Sequence, residues 1–231
     1  MNIINVENAI EQTYLNAILY GETGFGKTYS IASIPEQEKT LILSVEAGLK
    51  TLQNMCPETK CAVIRSRDDM RDAYKWLANP GNHKFQTVVI DSLSEIAEII
   101  LESEKSNCAD GRVYYSETTA SLLSLCRLFR ELPMNVLFLC QQEKIQDADG
   151  RIFYGPAFPG RKTAQKLPYK FDIVAALRVR KNDAGETERA FQLEPDESYV
   201  AKARGDNFQA FEKPDWGIIF EKYQDIDKAD I

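Results

Sequence analysis

The sequence predicts an α/β protein with a mostly parallel central sheet, flanked by helices and extended by antiparallel strands near the C-terminus. Short runs of β-branched and other apolar residues alternate with segments of helical periodicity, as they do in successive βαβ units. Most of these runs are too apolar to alternate in polarity, which is typical of strands covered on both faces of a sheet. No internal repeat or linker interrupts the pattern, so we expect a single domain over residues 1–231.

Five apolar runs are predicted to form the parallel strands of this sheet. In chain order they are Asn16–Tyr20, Leu41–Val45, Cys61–Arg65, Thr87–Asp91 and Asn135–Cys140. Each run has the length of an ordinary strand, and the segments between them are polar enough to hold turns and surface helices.

The helices are predicted from caps and from apolar residues that recur on one face. Ser66 can cap a helix whose apolar residues recur at helical spacing, and Pro80 ends this helix. Two further helices are expected over residues 92–105 and 116–132, separated by a polar segment.

The second half of the chain differs in composition and in the pattern of its apolar residues. Residues 141–170 contain several glycines and prolines and are predicted to form a long irregular segment. Strand-like segments follow over residues 171–179, 189–195 and 199–204, joined by turn residues. We expect these three segments to form the antiparallel extension of the sheet.

Composition excludes several classes of protein. With 44% hydrophobic and 27% charged residues, the chain is neither disordered nor collagen-like. A formal net charge of −7 excludes a generally basic surface but leaves room for a local basic site. No apolar run approaches the roughly 20 residues of a membrane helix, and the first residues lack the features of a secretory signal. We therefore expect a cytoplasmic protein with no membrane partner.

Cysteine and histidine usage limits the chemistry further. The five cysteines are an odd number without paired zinc-type spacing, which is typical of a reduced compartment. His83 is the single histidine, so neither a histidine-based catalytic triad nor a histidine-rich metal site is expected.

A glycine-rich motif follows the first strand, where residues 21–28, GETGFGKT, satisfy the pattern G-x-x-x-x-G-K-[ST]. Glycines let the backbone curl so that successive N–H groups face one anion, and the following helix adds its positive dipole end. In this pattern Lys27 reaches the β- and γ-phosphates, and the Thr28 hydroxyl ligates Mg²⁺. The motif predicts a nucleoside triphosphate site formed by Gly21, Glu22, Thr23, Gly24, Phe25, Gly26, Lys27, Thr28 and Tyr29.

Two acidic residues close apolar runs and are candidates for the chemistry of this site. Asp91 ends the fourth run and is predicted to complete the Mg²⁺ shell with Thr28. Glu46 follows the second run, where a carboxylate could orient or deprotonate the attacking water; its alternative role is to cap the next helix. Glu95 is the other candidate for this base, but it is expected on a helix.

Two glutamines follow the fifth run. Gln141 or Gln142 could sense the γ-phosphate through its amide and move the segment behind it. In the alternative interpretation, these two residues are simply where the chain leaves the buried strand and reaches water.

These residues resemble the RecA-like core ATPases, and most closely the core-only phage recombination ATPases of the Sak type. The resemblance rests on YGETGFGKT, VEAGL, VVIDS and QQEK, taken in this order. It continues with PAFPGRKTAQKLPYKFDIV and AKARGDN, and it covers residues 16–216.

The resemblance implies a RecA-like P-loop NTPase core that binds ATP and Mg²⁺ and hydrolyses ATP at subunit interfaces. It assigns the catalytic carboxylate to Glu46, and it implies that Lys202 and Arg204 reach the γ-phosphate of a neighbouring subunit. With Lys27 and the two glutamines, these residues form the expected catalytic set. Lys202 and Arg204 share one face of a predicted strand, and their alternative role is that of surface charges on a sheet edge. The expected form is a homo-oligomer, either a ring or a filament.

A basic segment lies in the second half of the chain. Residues 151–170 contain five basic residues and no acidic one, with aromatic residues interleaved, a combination that binds single-stranded nucleic acid. In the alternative interpretation, the aromatic residues pack on the core and the cations are solvated. The candidate DNA-binding residues are Lys144, Arg151, Phe153, Tyr154, Phe158, Arg161, Lys162 and, in a second region, Arg112.

The function that the resemblance implies is DNA recombination in a phage or prophage. We expect a DNA-stimulated ATPase that binds single-stranded DNA and promotes annealing or strand exchange, with a single-strand-binding protein as a candidate partner. The alternatives are a helicase or loader ATPase, and a small-molecule kinase that uses residues 141–170 as a lid. A GTPase is disfavoured because the N-K-x-D motif is missing, and an ATPase with a helical lid because the C-terminal region is predicted as strands.

Overall fold

A twisted sheet runs through the centre of the protein in the computed structural model, which describes residues 14–45, 48–146, 150–181 and 184–226. Within these residues the sheet has nine strands, in the spatial order β3-β2-β4-β5-β1-β7-β8-β9, with β6 paired to the far end of β5. The strands are β1 (Asn16–Gly21), β2 (Thr40–Ser44), β3 (Lys60–Val63), β4 (Thr87–Asp91), β5 (Asn135–Gln146), β6 (Ile152–Pro156), β7 (Ile173–Lys181), β8 (Thr187–Gln192) and β9 (Phe211–Glu212).

The strand pairing confirms the predicted fold class, an α/β fold with a mostly parallel sheet. All pairs from β3 across to β7 are parallel, and β8 and β9 join antiparallel. Two details of the prediction were wrong. β7 pairs parallel with β1, so the antiparallel extension begins only at β8. Residues 199–204 form isolated bridges rather than a strand, because Tyr199 pairs with Tyr154 of β6 and Lys202 with Val174 of β7, on two different strands.

Helices cover both faces of the sheet. They are α1 (Lys27–Ser30), α2 (Arg67–Leu77), α3 (Leu93–Asn107), α4 (Gly111–Arg130), α5 (Arg161–Lys166) and α6 (Trp216–Ile226). The predicted cap of α2 is confirmed, because the Ser66 hydroxyl accepts the Asp69 N–H at 3.1 Å. Helix α4 starts five residues earlier than predicted, because Asp110 caps it by accepting the Arg112 N–H at 2.9 Å.

Residues 141–170 are far more regular than predicted. β5 continues past Cys140 to Gln146 and turns back antiparallel as β6, so that this segment begins as a β-hairpin. The chain then forms α5 and a short 3₁₀ turn over residues 168–170. The hairpin is stabilised from outside its own sequence, since the Tyr154 N–H donates to the Ser198 carbonyl at 2.7 Å.

The helix at the C-terminal end, α6, was missed by the strand prediction. Its first residue, Trp216, is fully buried, and the Trp216 ring N–H donates to the Ser30 hydroxyl at 3.1 Å. The Trp216 backbone N–H donates to the Ser33 hydroxyl at 2.8 Å. These contacts fix α6 against the segment that follows the glycine-rich motif.

The two faces of the sheet bury separate apolar layers, as the alternation along β1 illustrates. Ile18 and Tyr20 face the layer formed with α2, α3 and α4, whereas Ala17 and Leu19 face the layer formed with α6 and the residues after α1. Since β1 is buried on both faces, its carboxyl end is a rigid starting point for the loop that follows. In the described part of the chain, we find no helix with the length and apolarity that crossing a membrane requires.

We expect Ser66→Ala to lower the free energy of unfolding by about 1 kcal/mol, because α2 loses the acceptor for its Asp69 N–H. In a domain of this size, that loss lowers Tm by about 2–4 °C. Thermal unfolding of Ser106→Ala is the control, since this exposed hydroxyl only donates to a carbonyl of its own helix. Equal Tm values for the two variants would contradict the cap.

Candidate nucleotide-binding site

The glycine-rich motif joins the carboxyl end of β1 to α1, as predicted. Gly24 and Gly26 adopt φ angles of 82° and 107°, in the left-handed region that favours glycine. Gly21 is close-packed as well, because a Cβ there would lie 3.1 Å from the Leu177 carbonyl oxygen. The motif therefore needs glycine at these positions for its backbone path, quite apart from any ligand.

Lys27 lies across the opening of this loop. Its ammonium group donates to the carbonyl oxygens of Gly21 at 2.8 Å and Glu22 at 3.1 Å. The positive charge is thereby held beside the first turn of α1, where an anion is attracted both by the lysine and by the helix N-terminal N–H groups.

The predicted metal-binding pair is in contact. The Thr28 hydroxyl donates to Asp91 Oδ2 at 2.9 Å, and the Asp91 side chain is buried at the end of β4. Hydroxyl and carboxylate oxygens are the hard ligands that Mg²⁺ prefers, so these two residues fit the metal that accompanies a nucleoside triphosphate. Mg²⁺ bound by them would neutralise phosphate charge. The peptide bond after Asp91 is cis.

A cavity of about 640 Å³ opens above these residues. It joins the loop, the metal-binding pair and residues that lie far away in the sequence. Thr51, Ser92 and Arg189 line it but were not predicted for this site; Ser92 lies in the VVIDS motif, whereas no motif or spacing in the sequence marks Thr51 or Arg189. The lining residues are Thr23, Gly24, Gly26, Lys27, Thr28, Tyr29, Thr51, Asp91, Ser92, Gln141 and Arg189.

Both predicted glutamines reach the site, although they lie within β5 and not beyond its end. Gln141 lines the cavity, its side-chain amide donates to Glu95 Oε1 at 3.0 Å, and its backbone N–H donates to the Ser94 hydroxyl at 3.0 Å. Gln142 instead donates to Glu22 Oε1 at 3.3 Å. The two glutamines therefore contact opposite sides of the site, α3 and the glycine-rich loop.

Of the two candidates for the catalytic base, the structure describes Glu95 but not Glu46. Glu95 lies on α3, as expected, and its carboxylate accepts the Gln141 amide. Glu46 lies outside the described residues. Its neighbour Val45 donates its backbone N–H to the Asp91 carbonyl at 2.8 Å, so the end of β2 lies beside the metal-binding pair.

Lys202 and Arg204 lie at the other end of the sheet. Lys202 donates to the Phe171 carbonyl at 2.6 Å, and Arg204 pairs with Asp172 at 2.9 Å, both just before β7. Burial lowers the pKa of Lys202, and the charge of Arg204 lowers it further. Because β1 and β7 are parallel, with Ala17 beside Ile173, this cluster lies about 16 Å along the strands from Gly21. The pair therefore does not contact the glycine-rich loop of its own chain.

The candidate DNA-binding residues separate into three groups. Lys144 and Tyr154 are directly opposite each other on the hairpin, and Phe153 lies on its other face, opposite Ile145. Arg151 donates to the Glu197 carbonyl at 2.9 Å. Arg161 and Lys162 begin α5, but their side chains lie outside the described part of the structure.

One of these candidates was misassigned. Phe158 is only 5% exposed and packs in the core, so it offers no stacking surface for a base. Arg112, the candidate in the second region, lies in the first turn of α4, directly after the cap residue Asp110. Composition alone does not separate an aromatic residue of the core from one at the surface.

The hairpin is fastened to the body of the protein, which argues against a detached lid. The Ser94 hydroxyl donates to the Ala157 carbonyl at 2.8 Å, and the Phe158 N–H donates to Glu143 at 3.4 Å. Burial raises the pKa of this glutamate. Residues 141–146 and 150–158 are therefore part of the packed domain.

Tyr20, one residue before the motif, connects β1 to two distant segments. Its hydroxyl lies 2.7 Å from the Val200 carbonyl oxygen and 3.2 Å from the Tyr154 carbonyl oxygen. Burial raises the pKa of Tyr20 far above its usual range, so the hydroxyl keeps its proton. Burial also raises the pKa of Cys140 well above that of a free thiol, which makes this cysteine an apolar neighbour of the site.

We expect Thr28→Val to reduce the gain in ATP affinity that Mg²⁺ provides by at least about tenfold, because one hard oxygen ligand is lost. ATP affinity measured with and without Mg²⁺ tests this, and Thr28→Ser, which keeps the hydroxyl, is the matched control. A valine variant that gains as much from Mg²⁺ as the wild type would remove Thr28 from the metal site.

Comparison with known proteins agrees with this geometry. A protein-family profile described as an AAA domain matches residues 13–205. The match spans the glycine-rich loop, Asp91, the glutamines of β5 and the hairpin. No curated protein matches the chain. Because the profile covers most of the chain and includes its complete nucleotide motif, the protein belongs to the AAA-domain family of P-loop ATPases.

Proposed function

We propose that this ATPase binds single-stranded DNA and promotes annealing or strand exchange, with ATP hydrolysed at sites shared between subunits. One observation carries the proposal: β5 runs without a break from the nucleotide cavity into the hairpin, where Lys144 is exposed. A change at the phosphate end of this strand is therefore close to a surface suited to nucleic acid.

The glutamines supply the link between the two ends of β5. Gln141 is level with Gly21, the first residue of the glycine-rich motif, and Gln142 contacts Glu22 within that motif. A γ-phosphate that attracted either amide would compete with the present acceptors, Glu95 and Glu22. Exchange of these partners would shift the start of the hairpin relative to the loop.

The hairpin face with Lys144 supports the proposed DNA contact. Lys144 and Tyr154 are exposed and half-buried, respectively, and they are cross-strand neighbours. Farther along, Tyr169 is 79% exposed and lies next to the exposed Lys170. Cations that follow the phosphates, combined with aromatic rings for the bases, are the components of a single-strand site.

The position of Lys202 and Arg204 supports a shared nucleotide site. At the opposite end of the sheet, these cations are too far away to serve the nucleotide of their own chain. Arg204 is 58% exposed although it pairs with Asp172, so a neighbouring subunit has access to it. In this arrangement each subunit would supply cations to the phosphates that its neighbour binds.

We expect single-stranded DNA to increase the rate of ATP hydrolysis, and Lys144→Ala to weaken DNA binding. Loss of one phosphate contact should also reduce the slope of log affinity against log salt by about 0.7. The measurements are an ATPase assay with and without DNA, and DNA titrations at several salt concentrations.

Lys75→Ala is the control for this experiment, because it removes an exposed cation from α2, away from the hairpin. A hydrolysis rate that DNA does not change would contradict the proposed function and favour a kinase or another DNA-independent ATPase. Equal DNA affinities for Lys144→Ala and the control would move the DNA site away from the hairpin.

We expect Lys27→Ala and Arg204→Ala each to abolish hydrolysis alone, and an equal mixture of the two variants to recover activity. In a mixed oligomer, about a quarter of the interfaces combine an intact loop with an intact arginine. The measurement is the hydrolysis rate of the mixture against that of each variant, with thermal unfolding to confirm that both fold. A mixture as inactive as its components would contradict a site shared between subunits.

A further inference from the structure

An arginine from the antiparallel part of the sheet reaches the glycine-rich loop. Arg189 lies on β8, and its Nε donates to the Phe25 carbonyl at 2.8 Å, across 164 residues of sequence. Arg189 and Phe191 share the face of the sheet on which α1 and α6 lie. The side chain therefore extends over β7 toward the loop that begins at the end of β1.

This hydrogen bond fixes the orientation of one peptide group in the loop. The Phe25 carbonyl and the Gly26 N–H belong to the same planar unit and point in opposite directions. The contact with Arg189 therefore also fixes the direction of the Gly26 N–H, and N–H groups of this loop type bind the phosphates. Gly26 has a φ of 107°, so its backbone has a freedom that such a contact restricts.

The guanidinium group has further donors for a ligand. Arginine carries five N–H groups, and the contact with Phe25 uses only the one on Nε. Nearby arginines have carboxylate partners, since Arg180 pairs with Glu188 and Arg178 lies 3.9 Å from Asp196. Within the residues that the structure describes, Arg189 has no ion pair, and it lines the same cavity as Lys27.

We propose that Arg189 is a second phosphate-binding cation of the nucleotide site. Its Nε holds the Phe25–Gly26 peptide, and its terminal nitrogens contact the phosphate chain in the cavity that Arg189 and Lys27 both line. The guanidinium fork suits two phosphate oxygens at once. This inference rests on nucleotide binding by the loop, which Lys27→Ala tests separately.

The experiment compares the affinities of wild type, Arg189→Ala and Arg189→Lys for ATP and for inorganic tripolyphosphate by calorimetry. We expect Arg189→Ala to lose about tenfold in affinity for both ligands, the effect of one exposed charged hydrogen bond. Arg189→Lys keeps the charge but not the forked guanidinium group, so its affinity should lie between those of Arg189→Ala and the wild type. Arg127→Ala removes an exposed cation from α4 and should bind both ligands like the wild type.

Each other outcome overturns the proposal in a distinct way. If Arg189→Ala loses affinity for ATP but not for tripolyphosphate, the arginine serves the nucleoside and not the phosphates. If both affinities are unchanged while Lys27→Ala still abolishes binding, the loop binds nucleotide without Arg189. If the alanine variant does not fold, the test uses the lysine variant instead. Wild-type affinity of Arg189→Lys for tripolyphosphate, together with a wild-type Tm, would show that the guanidinium group is not needed.

Discussion

The structure depends on one constraint, the fixed position of a glycine-rich loop at the carboxyl end of a fully buried strand. β1 is paired on both edges, by β5 and β7, and it is covered on both faces. The loop can therefore follow its glycine-dependent backbone path from a fixed starting point. The contact between Thr28 and Asp91 then joins this loop to β4, so residues from two crossovers meet at one point.

The position of β5 next to β1 explains how the nucleotide site and the hairpin become neighbours. The first half of β5 is buried in the central sheet, and its second half leaves that sheet and pairs only with β6. The glutamines lie at the transition between these two halves. Gln141 contacts α3 and Gln142 contacts the glycine-rich loop, so this boundary connects the core, the loop and the hairpin.

The sequence was most informative where function depends on local spacing. The loop, Lys27 and the metal-binding pair were predicted because a motif and a strand ending define them. Arg189 could not be predicted, because it reaches the loop only through the order of the strands, and an arginine on a strand has no signature of its own. Phe158 was misassigned for a related reason: it is buried in a core layer most of whose other members lie far away in the sequence. The start of α4 was missed because the helix begins with Gly111, a poor helix former, and depends there on the cap that Asp110 provides.

Tyr20 has a consequence for how the domain responds to change. A phenol carries one hydrogen, yet two carbonyl oxygens lie within its reach, one on β6 and one beside Ala201. The two carbonyl oxygens share this one hydrogen, so the hairpin and the segment leading to Lys202 depend on a single donor next to the nucleotide loop. A small rotation of one O–H bond redistributes this attraction between them without moving any heavy atom.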